Sequence, residues 1–389
     1  MIQTHIFGSQ SWFSLVVFSF FLSACHSQYE TPNDQVTLLN LETLPPVTDP
    51  INNLSNPDKV ILGKMLFWDP ILSGEKDVAC VSCHHPRHGY ADGLDVSIGV
   101  GGNGLGNVRT EGAKERIPRV GRNAPTIINA AYNGLLSYHQ IYNPLNAPTF
   151  WDGRRKSLEF QSLGPPTSYN EMRGNGYEEA LTFDSLVNRL QNIPAYVTMF
   201  QAAFGGDISS VNEENIGKAI AAFERTIISR NSPYDQFVNG DKNALSEDQK
   251  NGLLLFFNKA NCATCHAGPM FSDYNYYNLG IRDNDKVGVD LGVNEQRKFR
   301  TPTLRNVTLT APYMHNGAHQ TLEEMMEYYN NGISENAEIT AIDPKIKPLN
   351  LNKKEISDII AFMEALTDDS FDKSEPASVP SGLKPGGNL

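Results

Sequence analysis

Two short segments of the chain combine the residue types and the spacing that metal or cofactor chemistry requires. Each holds two cysteines three positions apart, with a histidine directly after the second cysteine. The six residues are Cys80, Cys83, His84, Cys262, Cys265 and His266. Such residues suit a zinc site, a redox-active dithiol or the attachment point of a haem.

The pattern C-x-x-C-H, present twice, favours covalent haem over the other two possibilities. Two thiols at this spacing add across the two vinyl groups of one porphyrin, and the adjacent imidazole then lies beneath the iron as its proximal ligand. A four-cysteine zinc site would leave both histidines without a role. A thioredoxin-like dithiol would need a βαβ context, which the surrounding sequence lacks. The sequence therefore predicts two covalently bound haem c groups, on His84 and on His266.

A similar helix is predicted before each of the two motifs. The stretch NPDKVILGKMLFWDP predicts a helix with Pro57 near its start. In LSEDQKNGLLLFFNK, Ser246 and Gln249 form a capping-box signature before an apolar face. Each half of the chain thus indicates a helix, a cysteine motif, long loops and a further helix. This order predicts a tandem repeat of one small α-helical unit.

Two more helices and a tail are predicted after the second motif. Thr321 and Glu324 form another capping box, and Gly332 is the expected stop of that helix. The last helix has an apolar stripe of Ile356, Ile359, Ile360, Met363 and Leu366. The Ser-, Pro- and Gly-rich residues 369–389 predict a disordered tail. The expected fold class is all-α.

The N-terminus indicates export, and the overall charge narrows the choice of partners. The apolar run from Trp12 to Ala24 is too short to span a bilayer, but it fits the core of a signal peptide. It ends in LSAC, which resembles the bacterial lipobox, so Cys25 is the expected site of lipid attachment. We expect residues 1–25 to be a lipoprotein signal peptide, residues 26–50 a tether, and the location to be periplasmic and membrane-anchored. The net charge of −12 argues against nucleic acid as the main partner.

Longer stretches resemble the bacterial di-haem cytochrome c peroxidases and their MauG-type relatives, over roughly residues 50–368. GRNAPTIINAAYN followed by FWDGR is typical of the first domain of that family, and RTPTLRNVTLTAPYMHNGAHQTLEEM of the second. The resemblance implies two cytochrome c-like, all-α domains with long loops and one c-type haem each. We expect these domains at residues 51–215 and 216–368, with both haems facing a shared interface.

The resemblance also implies roles for individual residues. The first haem, on His84, would be the peroxidatic one, and the second, on His266, would transfer electrons. Trp151 would lie between the haems as an electron relay, and Glu171 and Gln161 would lie in the distal pocket of the first haem. A positioned carboxyl such as that of Glu171 can move a proton between the two oxygens of peroxide. A partly apolar pocket would raise its pKa toward the working range.

Two further sets of metal ligands follow from the same resemblance. Asn123, Thr310 and Pro312 would hold one calcium ion between the domains, the last two through backbone oxygens. Tyr329 stands where the usual peroxidases place a methionine as distal ligand of the second haem, and MauG-type proteins use tyrosine there. Met325, one helical turn earlier on the same face, is the alternative ligand. A phenolate would lower the haem potential relative to a thioether.

One position departs from the usual peroxidases. Many of them carry a histidine that caps the peroxidatic iron until reduction releases it, and Val100 occupies the corresponding place. Because valine cannot ligate iron, the first haem is expected to be open in the resting state. His85, His88 and His139 remain as possible substitutes.

Together these features predict a periplasmic di-haem enzyme that reduces hydrogen peroxide to water. The electrons would come from a small donor protein, a cytochrome c or a copper protein, and would pass from the second haem to the first. A homodimer is possible, as in other family members. The alternative within enzymes is a MauG-like oxidase acting on an organic or protein substrate. The alternative of another class is a di-haem electron carrier without catalysis.

Overall fold

The computed structural model describes residues 35–36, 39–112, 117–339 and 341–388 of the chain. The predicted signal peptide, Cys25 and the first part of the predicted tether lie outside these residues. Within the described ranges, no helix combines the length and the apolar character needed to cross a membrane.

The described part is mostly helical, and its α-helices are numbered here in chain order. They are α1 (Pro57–Trp68), α2 (Leu158–Gln161), α3 (Gly164–Thr167), α4 (Thr182–Gln191), α5 (Pro194–Phe204), α6 (Glu213–Glu224), α7 (Pro233–Val238), α8 (Glu247–Phe257), α9 (Leu322–Asn331) and α10 (Lys353–Glu364). A π-helical turn spans Tyr169–Arg173, and the two cysteine motifs begin in the 3₁₀ turns Cys80–Ser82 and Cys262–Thr264. The other 3₁₀ turns include Pro70–Leu72, Pro86–His88, Gly106–Val108, Ala130–Tyr132, Pro144–Asn146, Glu179–Leu181, Ile208–Ser210 and Val307–Leu309.

The strands are short and form three antiparallel pairs. They are β1 (Gly102–Asn103) with β2 (Thr110–Glu111), β3 (Pro148–Thr149) with β4 (Arg155–Lys156), and β5 (Tyr276–Tyr277) with β6 (Phe299–Arg300). These pairs close loops rather than build a layer. The predicted all-α character is therefore confirmed at the level of the elements.

The predicted helix starts agree with the structure, with one difference. Ser246 and Gln249 cap α8 reciprocally, through bonds of 3.2 Å and 2.9 Å. At α9 the Thr321 hydroxyl accepts the N–H of Glu324 at 3.2 Å, but the Glu324 carboxylate accepts from the N–H of Gln320 instead of Thr321. The second half of that capping box is thus displaced by one residue.

The same helix crossing occurs twice and supports the predicted repeat. Gly63 in α1 lies so close to α6 that a Cβ there would stand 1.9 Å from the Ala219 carbonyl oxygen. Gly252 in α8 lies in the same way on α10, where a Cβ would stand 1.8 Å from the Asp358 carbonyl oxygen. In each half, the helix before the cysteine motif therefore crosses the last helix of that half at a glycine.

This crossing corrects the predicted domain boundary. Residues 216–227 of α6 and the following turn contribute to the core that surrounds α1, with Ile216, Ile220 and Phe223 almost fully buried. The second core begins in sequence near Tyr234, apart from a contribution by Val36. A boundary between residues 215 and 216 is wrong, because it would cut through α6, and the change of core falls near residues 228–233.

Residues 369–388 of the predicted disordered tail 369–389 pack against the first half of the molecule, so the predicted disorder is wrong for them. Phe371 and Val379 are buried in the first core, far in sequence from the helices that form it. The N–H of Gly386 donates to the carbonyl of Trp68 at 2.8 Å, and the Ser82 hydroxyl donates to the Gly386 carbonyl at 3.1 Å. The tail thus lies beside the first cysteine motif. Burial of its few apolar side chains orders it, although its composition is mostly polar.

The described part of the predicted tether is also packed. Leu44 is buried against Tyr132 of the first half and Met270 of the second. The hydroxyl of Tyr132 donates to the Pro45 carbonyl at 2.7 Å, and that of Tyr234 donates to the Glu42 carbonyl at 3.2 Å. Residues 39–50 therefore pack along the junction of the two halves instead of forming an unpacked tether.

Candidate haem and peroxide site

One cavity of ≈ 770 Å³ runs between the two halves and is lined by both cysteine motifs. All residues that the sequence assigned to haem, to the distal pocket and to metal lie on it. They are Cys80, Cys83, His84, Asn123, Trp151, Gln161, Glu171, Cys262, Cys265, His266, Thr310, Pro312, Met325 and Tyr329. The structure thus brings together residues that lie far apart in the sequence.

The two motif histidines are held in the same way. Nδ1 of His84 bonds to the carbonyl oxygen of Tyr90 at 3.1 Å, and Nδ1 of His266 bonds to that of Phe271 at 2.9 Å. Burial lowers the pKa of both imidazoles, so they are neutral near pH 7. A neutral imidazole that donates through Nδ1 presents Nε2 as a metal ligand. Both histidines therefore fit the role of proximal haem ligand.

The cysteines fit haem attachment better than zinc or redox exchange. All four are free of disulfides. Burial raises the pKa of Cys80, Cys83 and Cys262 to about 12, which opposes the thiolate that a redox dithiol uses. Among the described residues, no group of three or more His, Cys, Asp or Glu side chains is placed to hold a metal ion. A zinc site shared by the two cysteine pairs is therefore absent from the described part.

The cavity walls also fit two haem groups. Apolar side chains such as Phe67, Leu158 and Ile220 line it, and so do the cationic side chains of Arg154 and Arg300. A porphyrin needs apolar contacts for its ring and cations for its propionates. The cavity offers both.

Glu171 and Gln161 both line the cavity, and Glu171 lies close enough to Cys80 and Cys83 to raise the pKa of their thiols. Glu171 belongs to the π-helical turn, and Gln161 is the last residue of α2. Burial raises the pKa of Glu171, although Arg154 and the Ser168 hydroxyl act in the opposite direction. The direction agrees with the expectation from the sequence. Gly99 allows the neighbouring loop to approach, because a Cβ there would stand 2.0 Å from the Asn170 carbonyl oxygen.

Glu224 is a second buried carboxyl on this cavity, and the sequence analysis missed it. It ends α6, is 4% exposed, and its Oε2 has no hydrogen-bond partner. Burial raises its pKa to about 8, against the effect of Arg225. A signal was present in the sequence, since Glu224 follows Ile216 and Ile220 at helical spacing on the apolar face of α6.

Trp151 lines the cavity and connects the two halves. Its indole N–H donates to the Asn123 carbonyl at 2.9 Å, and its own carbonyl accepts the N–H of Arg300 at 2.7 Å. The side chain is 9% exposed. Trp151 is therefore held from both sides, in the turn between β3 and β4.

The expected calcium ligands lie where the halves meet. The side-chain nitrogen of Asn123 donates to the Leu94 carbonyl at 2.8 Å, which leaves its amide oxygen free of that bond. The backbone N–H of Asn123 donates to the His315 carbonyl at 2.8 Å. This bond connects the segment of Asn123 to the segment that contains Thr310 and Pro312. Oxygen ligands from an amide and from backbone carbonyls suit Ca²⁺.

Tyr329 and Met325 both lie on the part of the cavity next to the second motif. They are one turn apart in α9. Burial raises the pKa of the Tyr329 phenol, and the nearby Tyr328, Cys262 and Cys265 act in the same direction. Without a metal, Tyr329 is thus a neutral phenol, and a bound cation would be needed to remove its proton.

Val100 and the three histidines proposed as substitutes all lie off the cavity. Val100 is 6% exposed and packs in the first core. His85 packs against Trp68, with ring centroids 6.2 Å apart. His88 accepts the N–H of Asn107 at 3.4 Å, and His139 is exposed.

A buried arginine holds the loop that contains Val100. The Arg109 guanidinium donates to the carbonyls of Ile98 at 2.5 Å, Gly99 at 2.6 Å and Gly104 at 2.7 Å. Arg109 is 2% exposed. The glycine-rich loop is thus ordered around a cation, with its valine directed into the core.

Comparisons with known proteins agree on one family. The family described as "Di-haem cytochrome c peroxidase" matches residues 57–243. Cytochrome-c peroxidase IdrP1 of Pseudomonas sp. (strain SCT) is 36% identical over 363 residues, which cover 84% of this chain and 85% of that protein. Methylamine utilization protein MauG of Methylorubrum extorquens is 32% identical over 342 residues, which cover 86% and 83%.

Solved structures show the same architecture. A MauG-like protein associated with microbial copper homeostasis matches with a TM-score of 0.68 and 28% identity, over 85% of this chain and 95% of that one. The diheme peroxidase BthA from Burkholderia thailandensis matches with a TM-score of 0.65 and 22% identity, over 88% and 93%, and shows likeness of fold alone.

Proposed function

Because this chain belongs to the di-haem cytochrome c peroxidase family, we propose that it reduces hydrogen peroxide to water with electrons from a small redox protein. Each turnover would consume one peroxide, two electrons and two protons and release two waters. The observation that carries the proposal is the single cavity that holds both C-x-x-C-H motifs, a carboxyl of raised pKa and a tryptophan between the halves.

The residues around the first motif supply proton transfer. When bound there, a haem would offer an iron that binds peroxide and exchanges electrons with it. Glu171 would take the proton from one peroxide oxygen and give it to the other, so that the departing oxygen leaves as water. Gln161 would orient the peroxide by hydrogen bonding. Glu224, neutral below a pH of about 8, is a candidate source of one of the protons that the reaction consumes.

The second half of the molecule would receive electrons, and the first half would reduce peroxide. Electrons would arrive at the second motif and pass by way of Trp151 to the first, since Trp151 is bonded to both halves. A calcium ion on Asn123, Thr310 and Pro312 would fix the junction that Trp151 crosses. Tyr329 would be the distal ligand of the second haem, with Met325 as the alternative.

Location and partners follow from the same proposal. Covalent haem c is attached outside the cytoplasm, and the N-terminal sequence predicts export, so we infer a periplasmic protein with Cys25 as lipid anchor. The donor would be a cytochrome c or a copper protein. A net charge of −12 favours a donor with a basic docking face.

A second function from the same family deserves comparison because of Tyr329. A MauG-like oxidase would store two oxidising equivalents and spend them on an organic or protein substrate. A tyrosine ligand at the second haem would stabilise the oxidised states that such chemistry needs. A non-catalytic electron carrier is less well supported, because a carrier has no use for Glu171 and Gln161 beside an iron.

Rapid-mixing spectroscopy of the holoenzyme with peroxide separates these functions. A peroxidase would return to its resting spectrum within seconds when a reduced cytochrome c or copper protein is present. A MauG-like oxidase would keep a long-lived oxidised spectrum of both haems and turn over the donor only slowly. An electron carrier would show no fast reaction with peroxide at all.

A further inference from the structure

A tyrosine outside the residues assigned above lies at the edge of the cavity next to the second motif. Tyr277 ends β5, is partly exposed, and lines the cavity together with Cys265. Its phenol lies close enough to the Cys265 thiol for each group to influence the pKa of the other. Because Cys265 would carry one thioether of the second haem, the phenol lies at the covalent edge of that haem.

Two charged groups hold the phenol. The Tyr277 hydroxyl donates to Oδ2 of Asp273 at 2.6 Å. The ammonium group of Lys345 donates to the phenol oxygen at 2.6 Å and lies 4.5 Å from the centre of its ring. The N–H of Asp273 in turn donates to the Cys265 carbonyl at 2.8 Å, which fixes the carboxylate relative to the haem motif.

Asp273 is available to accept a proton. Burial would raise its pKa, but hydrogen bonds from Tyr277 and Asn275 lower it below the usual range, so the group is ionised at neutral pH. A phenol gives up an electron readily only when its proton can leave, because the oxidised phenol is a strong acid. A 2.6 Å bond to an ionised carboxylate provides that path.

We propose that Tyr277 is a redox-active tyrosine that passes oxidising equivalents from the second haem to a one-electron donor at the protein surface. The proposal rests on the function proposed above, in which peroxide is the oxidant. Tyr277 would carry electrons between the second haem and a donor at the protein surface. Trp151 would carry them between the two haems.

The step balances in electrons and protons. One electron leaves the phenol toward the second haem, and the phenolic proton moves to Oδ2 of Asp273, which leaves a neutral tyrosyl radical. A donor at the surface then returns one electron, and the proton returns from Asp273. The hydrogen bond from Lys345 holds the phenol oxygen in place.

The neighbouring tyrosine provides a matched control. Tyr276 stands beside Tyr277 on the other face of β5, and its hydroxyl lies against Gly153 in the turn that follows Trp151. Its surroundings lack an ionised carboxylate bonded to the phenol, and its pKa is raised by burial. Y276F therefore removes a phenol from the same strand without removing the proposed proton path.

The test is electron paramagnetic resonance of holoenzyme frozen shortly after mixing with peroxide, with no donor present. We expect a tyrosyl radical in the wild-type protein and in Y276F, and its loss in Y277F, with both haem spectra unchanged before mixing. D273N keeps the phenol but removes the proton acceptor, so the radical yield should fall. A nitroso spin trap followed by peptide mass spectrometry should place the adduct on Tyr277.

The outcomes separate this proposal from the peroxidase function, because peroxide consumption is measured in the same mixtures. A radical of equal yield in Y277F, or trapping at another residue only, overturns the assignment to Tyr277. Peroxide consumption without any protein radical also overturns it and leaves the peroxidase function standing. If the holoenzyme consumes no peroxide, both proposals are wrong.

Discussion

At the scale of single residues, the main expectation concerns the buried carboxyl beside the first motif. E171Q should keep both haems and their spectra but lose about 100- to 10,000-fold in peroxidase rate, since an amide cannot carry the proton. Steady-state peroxide reduction with a reduced donor measures this. E178Q, an exposed neighbour, is the control and should behave as wild type. Equal rates for the two variants would shift the role to Gln161.

The raised pKa of Glu171 gives that reaction a pH dependence. The carboxyl must be ionised to accept a proton from peroxide, so the rate should fall as the pH drops through its pKa. Because burial raises this pKa, the fall should begin at a higher pH than for an exposed glutamate. The pH profile of kcat/KM measures this, and E171Q should lack the corresponding limb.

The coordination of the first haem depends on whether any side chain supplies a distal ligand, and neither Val100 nor the three candidate histidines is expected to do so. All four lie off the cavity, so the resting ferric haem should be five-coordinate or water-bound. Electron paramagnetic resonance of the fully oxidised protein should show one high-spin ferric signal, and cyanide should bind promptly. Two low-spin signals, with cyanide binding only after one-electron reduction, would mean that another ligand closes the site.

Tyr329 allows a test by redox titration of the second haem. Y329M should raise its potential, since a thioether replaces a phenolate as the distal ligand. M325L is the matched control, one turn away on the same cavity, and should leave the potential unchanged. The reverse pattern would make Met325 the ligand.

At the scale of elements, the loop around Arg109 carries the clearest prediction. R109M leaves two buried carbonyls and one partly buried carbonyl without their donor, so the free energy of unfolding should fall by about 2–4 kcal/mol. Denaturant unfolding measures this. R87M is the control, because Arg87 is an exposed partner of Glu375 and such pairs contribute at most about 1 kcal/mol. A similar small loss in both variants would mean that the loop is held by other contacts.

The elements also show what could be predicted from the sequence. Local signals sufficed for α1 and α8, because Pro57 and the pair of Ser246 and Gln249 act within one turn of the helix. They failed for the tail, since the contacts of Phe371 and Val379 are with residues hundreds of positions away. They failed for the domain boundary for the same reason, because only packing assigns α6 to the first core.

At the scale of the whole molecule, the family resemblance located residues that chemistry alone would not have found. A lone glutamate such as Glu171 is usually a solvated surface residue, and only the pattern around Trp151 marked it. Tyr277 was missed because its significance depends on Lys345, which lies far from it in the sequence. Glu224 was missed although its helical spacing with Ile216 and Ile220 marked it as part of a buried face. The fold places Trp151, Glu171, Glu224 and Tyr277 on one cavity, which no single stretch of sequence predicts.

The measurement that tests the central claim most directly is the stoichiometry of sustained turnover. Holoenzyme with both haems confirmed by mass spectrometry is mixed with excess reduced donor and a known amount of peroxide, and both are followed to completion. A peroxidase oxidises two equivalents of one-electron donor for each peroxide consumed, over many turnovers per protein. Consumption limited to about one peroxide per protein, or donor oxidation that does not depend on peroxide, would contradict the proposed function.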